Sequence, residues 1–235
     1  MSDFLPGVHA APNIQTAPDL YEIENRAADP EQRIEAALRS IAAWDKRIVL
    51  DLGAGTGFHV PRFHAHAAHV IAVEPHDASR LQIMRRVAAL NLERVSVMTG
   101  SAERILLPAA SVDVIHARFA YFFAPNCLPG LAEVARVLRP GGTAFIIDND
   151  LRHGQFAEWL KRHPFAGVDP DVVEGFWSAQ GYQLVRIPSE WRFDNRADLE
   201  AVVRLEFGEA LACDLLREHT GLSVEYHYAL YWRKF

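Results

Sequence analysis

Cysteine is scarce in this chain: the 235 residues include two, Cys127 and Cys213. Two thiols make no disulfide framework, and in a chain of this size they predict the reducing cytoplasm. Basic charge is also short. Lys and Arg number 24 against 30 Asp and Glu, a net charge of -6. That balance argues against a sequence-independent nucleic-acid binder, which needs a basic surface. No hydrophobic run approaches the roughly 20 residues of a membrane span. The opening MSDFLPGVHAAPN has neither the basic region nor the apolar region of a secretory signal. There is no internal repeat, no low-complexity tract and no linker that divides domains. What remains is ordinary globular material, 50% hydrophobic and 23% charged, long enough to close a core without staples.

Five short apolar runs alternate with helical patterns: 48–50, 70–73, 95–98, 112–115 and 143–147. This alternation predicts a parallel sheet with helices on both faces. Residues 1–18 read as an irregular lead-in. Pro30 opens an amphipathic helix carrying Ile34, Leu38 and Ile41 on one face. A helix over 77–91 presents Leu81, Met84, Val87 and Ala88. Another runs from Leu128 to Leu138 and stops at Arg139-Pro-Gly-Gly142. The last third predicts helices over 156–163 and 170–179, a strand from Tyr182 to Phe193 and a helix over 196–219. It ends on a strand from Ser223 to Arg233, whose positions 224, 226, 228, 230 and 232 make one apolar or aromatic face.

The most informative segment is Asp51-Leu-Gly53-Ala54-Gly55-Thr-Gly57, directly after the first run. Glycines let the backbone take positive φ and let a ligand lie against the main chain. Glu74 ends the second run, where an acid can accept both hydroxyls of a ribose. The glycine spacing is one residue tighter than the dinucleotide fingerprint G-x-G-x-x-G. It resembles motif I, (D/E)-x-G-x-G-x-G, of the class I S-adenosylmethionine-dependent methyltransferases. Three later blocks are similar to that superfamily in the same order: Gly100-Ser101-Ala102-Glu103, Ser111-Val-Asp113-Val, and Glu133 through Pro140-Gly-Gly142. The resemblance covers roughly residues 44–150.

The resemblance implies a doubly wound, Rossmann-like α/β sheet of seven strands, the last antiparallel. It makes 1–235 a single methyltransferase domain: a lead-in and lid to residue 43, a cofactor core over 44–150, and substrate-shaping strands and helices over 151–235. It implies S-adenosylmethionine as the donor and S-adenosylhomocysteine as the product. Asp51 would hold the amino group of the methionine moiety, Gly53, Ala54, Gly55 and Gly57 would pass beneath the cofactor, and Glu74 with Pro75 would meet the ribose. Ser101, Ala102 and Glu103 would border the adenine, with Ser101 standing where the superfamily often has an acid. Arg118 and Phe119, at the end of the fourth strand, and Tyr21, on the lid, complete the expected cofactor set.

No single catalytic residue follows, because the sulfonium is already electrophilic and the protein mainly aligns and excludes water. Candidates by position are Tyr121 and Phe122 after the fourth strand and Asp148, Asn149 and Asp150 after the fifth. Arg118 could pair with an acidic substrate or with the cofactor carboxylate. His59, His64, His66 and His69 crowd one segment, but no zinc-type array and no H-E-x-x-H accompanies them, so no metal is expected. His153, His163, His219 and His227 are acid–base groups by position only. The aromatic end, with Trp177, Trp191 and Tyr226, reads as sheet packing. No N-P-P-Y-type block appears, which disfavours methylation of DNA bases or protein glutamine. The expected function is therefore methyl transfer to a small-molecule acceptor in the cytoplasm, without nucleic acid or membrane. The sequence identifies neither the acceptor nor an oligomeric state. The alternatives are a regulatory protein that binds the cofactor and transfers nothing, and a nicotinamide oxidoreductase.

Overall fold

The computed structural model describes residues 8, 11–121, 126–163 and 167–235. A sheet in the order β3-β2-β1-β4-β5-β9-β6 organises them. Its members are β1 (Ile48–Leu52), β2 (His69–Val73), β3 (Val95–Met98), β4 (Val112–Arg118), β5 (Leu138–Asn149), β6 (Gln183–Ile187) and β9 (Tyr228–Lys234). β1 to β5 are parallel, and β9 runs antiparallel to both β5 and β6. This is the Rossmann-like α/β architecture. The strand order reverses between β1 and β4, which opens a crevice at their carboxyl ends.

Residue parity decides what each face buries. Val49, Val114, Phe145 and Ile147 belong to one core cluster. Leu50, Ile115, Ala144 and Ile146 belong to the other, on the opposite face. The first face is covered by α2 (Pro18–Ala27), α3 (Arg33–Ile41), α4 (Val60–His64) and α9 (Arg196–Glu218). On the second lie α6 (Leu128–Val137) and α8 (Pro170–Ala179).

Several elements depart from the sequence reading. The lead-in is partly helical, α1 spanning Pro12–Thr16. The helix after Pro30 starts at Arg33, because Asp29 caps it: its carboxylate accepts from the Arg33 and Ile34 amides at 3.0 and 2.9 Å. α5 (Asp77–Ala89) turns Ser79 and Ile83 inward and leaves Leu81 and Met84 exposed. The Arg139–Gly142 turn is absorbed into β5, where pairing with β4 jumps from Leu138 to Thr143. The strand expected over 182–193 breaks at Pro188. Its second half, β7 (Glu190–Arg192), pairs with β8 (Ser223–Glu225) in a separate ribbon. The terminal strand is likewise two pieces, and Tyr231, opposite the face of residues 224–232 read from the sequence, is buried against Trp177 at a ring separation of 5.1 Å. α7 (Gln155–Lys161) and α8 fall where expected, and α9 carries a kink at Gly208, φ +71°.

Asp29 is nearly inaccessible and also accepts the Ser189 hydroxyl at 2.7 Å, so one carboxylate joins α3 to the loop before β7. Removing it leaves two amides and a hydroxyl unpaired. Asp29→Ala is expected to lower unfolding free energy by about 2 kcal/mol in urea denaturation. A loss below about 0.5 kcal/mol would contradict this account.

Candidate functional site

The loop after β1 is held by its own backbone. Gly53, Gly55 and Gly57 all take positive φ, +72°, +57° and +75°. The Gly53 and Ala54 amides both donate to the Val73 carbonyl at the end of β2, at 2.9 and 3.0 Å. The Gly55 amide donates to Glu74 Oε2 at 2.9 Å, and the His76 amide to Glu74 Oε1 at 3.0 Å. Burial raises the Glu74 pKa, and those two backbone donors oppose the rise.

A cavity opens above this loop at the carboxyl edge of the sheet. Every residue expected at a cofactor lines it except Gly57: Tyr21, Asp51, Gly53, Ala54, Gly55, Glu74, Pro75, Ser101, Ala102, Glu103, Arg118 and Phe119. Gly57 has a packing role instead. A Cβ there would stand 3.0 Å from Ile83 Cγ2, so the glycine lets α5 approach the loop. The N-terminal helices roof the cavity with Ile14, Gln15, Tyr21 and Asn25. α2 is fastened to the loop through Glu22, which receives the Thr56 hydroxyl and ion-pairs with Arg86 at 2.7 Å.

Asp51 is buried at the cavity floor. Its Oδ1 lies 2.8 Å from His116 Nδ1, and its Oδ2 has no partner among the described residues. A buried carboxylate oxygen without a donor is costly. An ammonium group in the cavity would relieve it, which is the donor chemistry the amino end of S-adenosylmethionine offers.

His59 and His116 were not anticipated in the site. The sequence reading set His59 aside with its neighbours for want of a metal-binding array. It lines the cavity instead, 5.4 Å from the His116 ring. Burial, reinforced by Arg118, holds its pKa well below the usual imidazole value, so it is neutral. The available signal for His116 was parity: it shares a sheet face with Arg118 and pairs in register with Asp51. His66 and His69 go elsewhere, to Asp45 and Ser96. Among the described residues no group of three His, Cys, Asp or Glu could hold a metal.

The three catalytic candidates do not line the cavity. Tyr121 is buried behind it, its hydroxyl 3.4 Å from the Gly130 carbonyl. Asp148 has the parity of Ala144 and Ile146, so its side chain lies on the sheet face opposite Asp51, His116 and Arg118. Asp150 is consumed by its own loop, accepting from the Arg152 amide at 2.9 Å and facing His153 Nδ1 at 2.8 Å. Asn149 accepts the Tyr226 hydroxyl. Phe122 lies outside the described residues.

Comparison with known proteins agrees with this construction. Residues 49–142 match the methyltransferase domain family. An uncharacterized methyltransferase of Mycobacterium bovis is 34% identical over 174 residues, 70% of this chain. The chain spans about 65% of that relative's length. The demethylmenaquinone methyltransferase of Deinococcus radiodurans is 29% identical over 133 residues, 54% of this chain and 55% of its own. Among solved structures, the YcgJ protein of Bacillus subtilis superposes with a TM-score of 0.60 at 18% identity, covering 87% of this chain and 98% of that one. An S-adenosylmethionine-dependent methyltransferase from Aquifex aeolicus gives 0.56 at 18%, covering 91% and 97%. Residues 49–142 are thus similar to the methyltransferase domain family, and the fold is the one seen in the S-adenosylmethionine-dependent methyltransferase from Aquifex aeolicus.

Asp148 carries a measurable consequence of its placement. Burial pushes its pKa up to about 7, against an opposing bond from the Asn149 amide. In the unfolded chain it ionises near 4. Between those values the folded state holds the extra proton, so this group's contribution to stability falls as pH rises from about 4 to 7. Asp148→Asn is expected to be more stable than the parent at pH 8 by on the order of 2 kcal/mol. The advantage should vanish near pH 4. Parallel denaturation curves at both pH values would contradict the placement.

Proposed function

We propose that this chain transfers the methyl group of S-adenosylmethionine to a small-molecule acceptor, with residues 1–235 acting as one unit. The carrying observation is Asp51: a buried acid whose second oxygen lacks a donor, at the floor of a cavity bounded by the glycine loop and Glu74. That acceptor set fits a ligand with an ammonium at one end and a ribose at the other. When bound, the cofactor supplies an electrophilic methyl group on its sulfonium.

The residues then divide the work. Asp51, held in place by His116, takes the ammonium. The positive-φ glycines leave room for the ligand to run along the backbone. Glu74 keeps lone pairs beyond its two amide bonds and accepts the ribose hydroxyls. Ser101, Ala102 and Glu103 border the base. Tyr21 and Asn25, one helical turn apart on α2, roof the cavity against water. Neutral His59 is available to hold a proton from an acceptor hydroxyl or amine. The domain-family match and the tighter glycine spacing support a methyl donor over a nicotinamide dinucleotide.

Two measurements test this. The protein should bind S-adenosylhomocysteine but not nicotinamide dinucleotides in equilibrium titration, and it should turn over methyl-labelled donor against a metabolite pool. Binding without any turnover would favour the regulatory alternative. Glu74→Ala should weaken S-adenosylhomocysteine binding by about 1–3 kcal/mol. Unchanged affinity in the folded variant would remove Glu74 from the ribose.

A further inference from the structure

Behind the cofactor cavity lies a smaller pocket that no glycine-loop residue touches. The two share His59, His116 and Arg118. Arg118 lies two residues beyond His116 on β4, so it is about 6–7 Å further out along the strand than the level of Asp51. The far wall is Leu38, Trp44 and Phe63, with the Trp44 and Phe63 rings edge to face at 5.3 Å, and Arg62 adds to the lining.

Among the described residues Glu35 is the one carboxylate lining this pocket, beside the donors Arg62, Arg118 and Trp44. Arg118 Nε is buried and has no hydrogen-bond partner among the described residues, and neither has the indole N–H of the buried Trp44. Arg62 and Arg118 face one another closely enough to repel. Burial lowers the Arg62 pKa, Glu35 opposes the fall, and Arg118 adds a smaller lowering. The neighbouring carboxylates are engaged or neutralised. Glu35 pairs with Arg39 at 3.1 Å, and Asp29 is spent on the α3 amides and Ser189. Glu24 faces Arg118, but burial and then the adjacent Glu206 push its pKa well up, so it holds a proton. The Arg118 guanidinium is fixed by aromatic faces, 4.9 Å from the Tyr228 ring centre and 5.2 Å from that of Phe119. Glu35 offsets the Arg62 charge, but Arg118 Nε and the indole N–H still lack an acceptor.

We propose that the methyl acceptor carries a carboxylate, whose oxygens reach between Arg118 and Arg62 with the Trp44 N–H as third donor, while its body stays in the larger cavity beside His59. This rests on the methyl-transfer reading and names its substrate class. Asp51 and Glu74 line only the larger cavity, whereas Arg118 lines both. The neutral His59, shared by both cavities, then lies between the anchored acid and the cofactor.

Titration with benzoate and phenylacetate, beside benzamide and phenylacetamide, tests the site with and without saturating S-adenosylhomocysteine. The carboxylates should bind at least ten-fold tighter than their amides. Arg118→Met and Arg62→Met should each remove that preference and leave the amides within two-fold. Trp44→Phe should cut carboxylate affinity several-fold, and Arg118→Lys should restore part of the loss while showing that position 118 tolerates replacement. Equal affinity for acid and amide overturns the proposal, as does a preference that survives both methionine variants. So does a ten-fold loss of S-adenosylhomocysteine affinity in Arg118→Met with carboxylate binding intact, which would give Arg118 to the cofactor's own carboxylate. A protein that shows the acid preference but binds no S-adenosylhomocysteine keeps the anion site and overturns the methyl-transfer reading. The converse result overturns this proposal alone.

Discussion

The site depends on one backbone junction, where the loop leaving β1 is tied to the end of β2. Two amides share the Val73 carbonyl, and a third reaches the Glu74 carboxylate. Each bond needs a chain reversal that only positive φ allows, which is why glycines stand at 53 and 55. The junction fixes Glu74 and, one strand over, the depth at which Asp51 meets the cavity. It also fixes the roof. A Cβ on Gly55 would stand 2.7 Å from Ile14 Cδ1, so α1 rests directly on the loop backbone. A shift of the loop would therefore disturb Glu74, the buried aspartate and the N-terminal helices together.

Charge is handled by burial and sharing around that junction. The cavity end of α2 brings Glu24 against Glu206 of α9, two carboxyls whose pKa values are both raised, that of Glu206 to about 7. One proton between them avoids placing two negative charges in a dry interior. Asn13 donates to Glu206, which ties α1 into the same cluster. Glu24 and Glu206 thus meet within the roof, while Arg118 is left to the cavity.

Much of the fold was legible because hydrophobic runs and glycines report directly on local backbone. The five parallel strands, the antiparallel last strand and the acid at 74 follow from spacing alone or from the resemblance it supports. What failed was parity and interruption. Met84 and Leu81 sit at helical spacing, yet Ile83 and Ser79 face the sheet, because Gly57 admits Ile83 at close range. Pro188 and His227 break strands that alternate convincingly on paper. The cofactor residues were readable because they belong to contiguous motifs. The acceptor side was not, because Trp44, Arg62 and His116 come from three separate segments and meet only in the folded chain.

That difference has a physical reason. A cofactor common to a superfamily is met by backbone groups, which demand glycines and a fixed acid and so leave a pattern. An acceptor is met by side chains on whichever strand and helix ends face it, and strand parity alone selects them. On β4 the residues 116 and 118 face the cavity side, while 115 and 117 fill the opposite core. On β5 the same rule sends Asp148 away, although it is chemically the more obvious base. A slip of one residue on β4 would bury Ile115 where His116 now meets Asp51 and expose the two basic side chains to the apolar face of α6. The acceptor contacts proposed above thus depend on the register between β1 and β4, the same register that sets His116 beside Asp51.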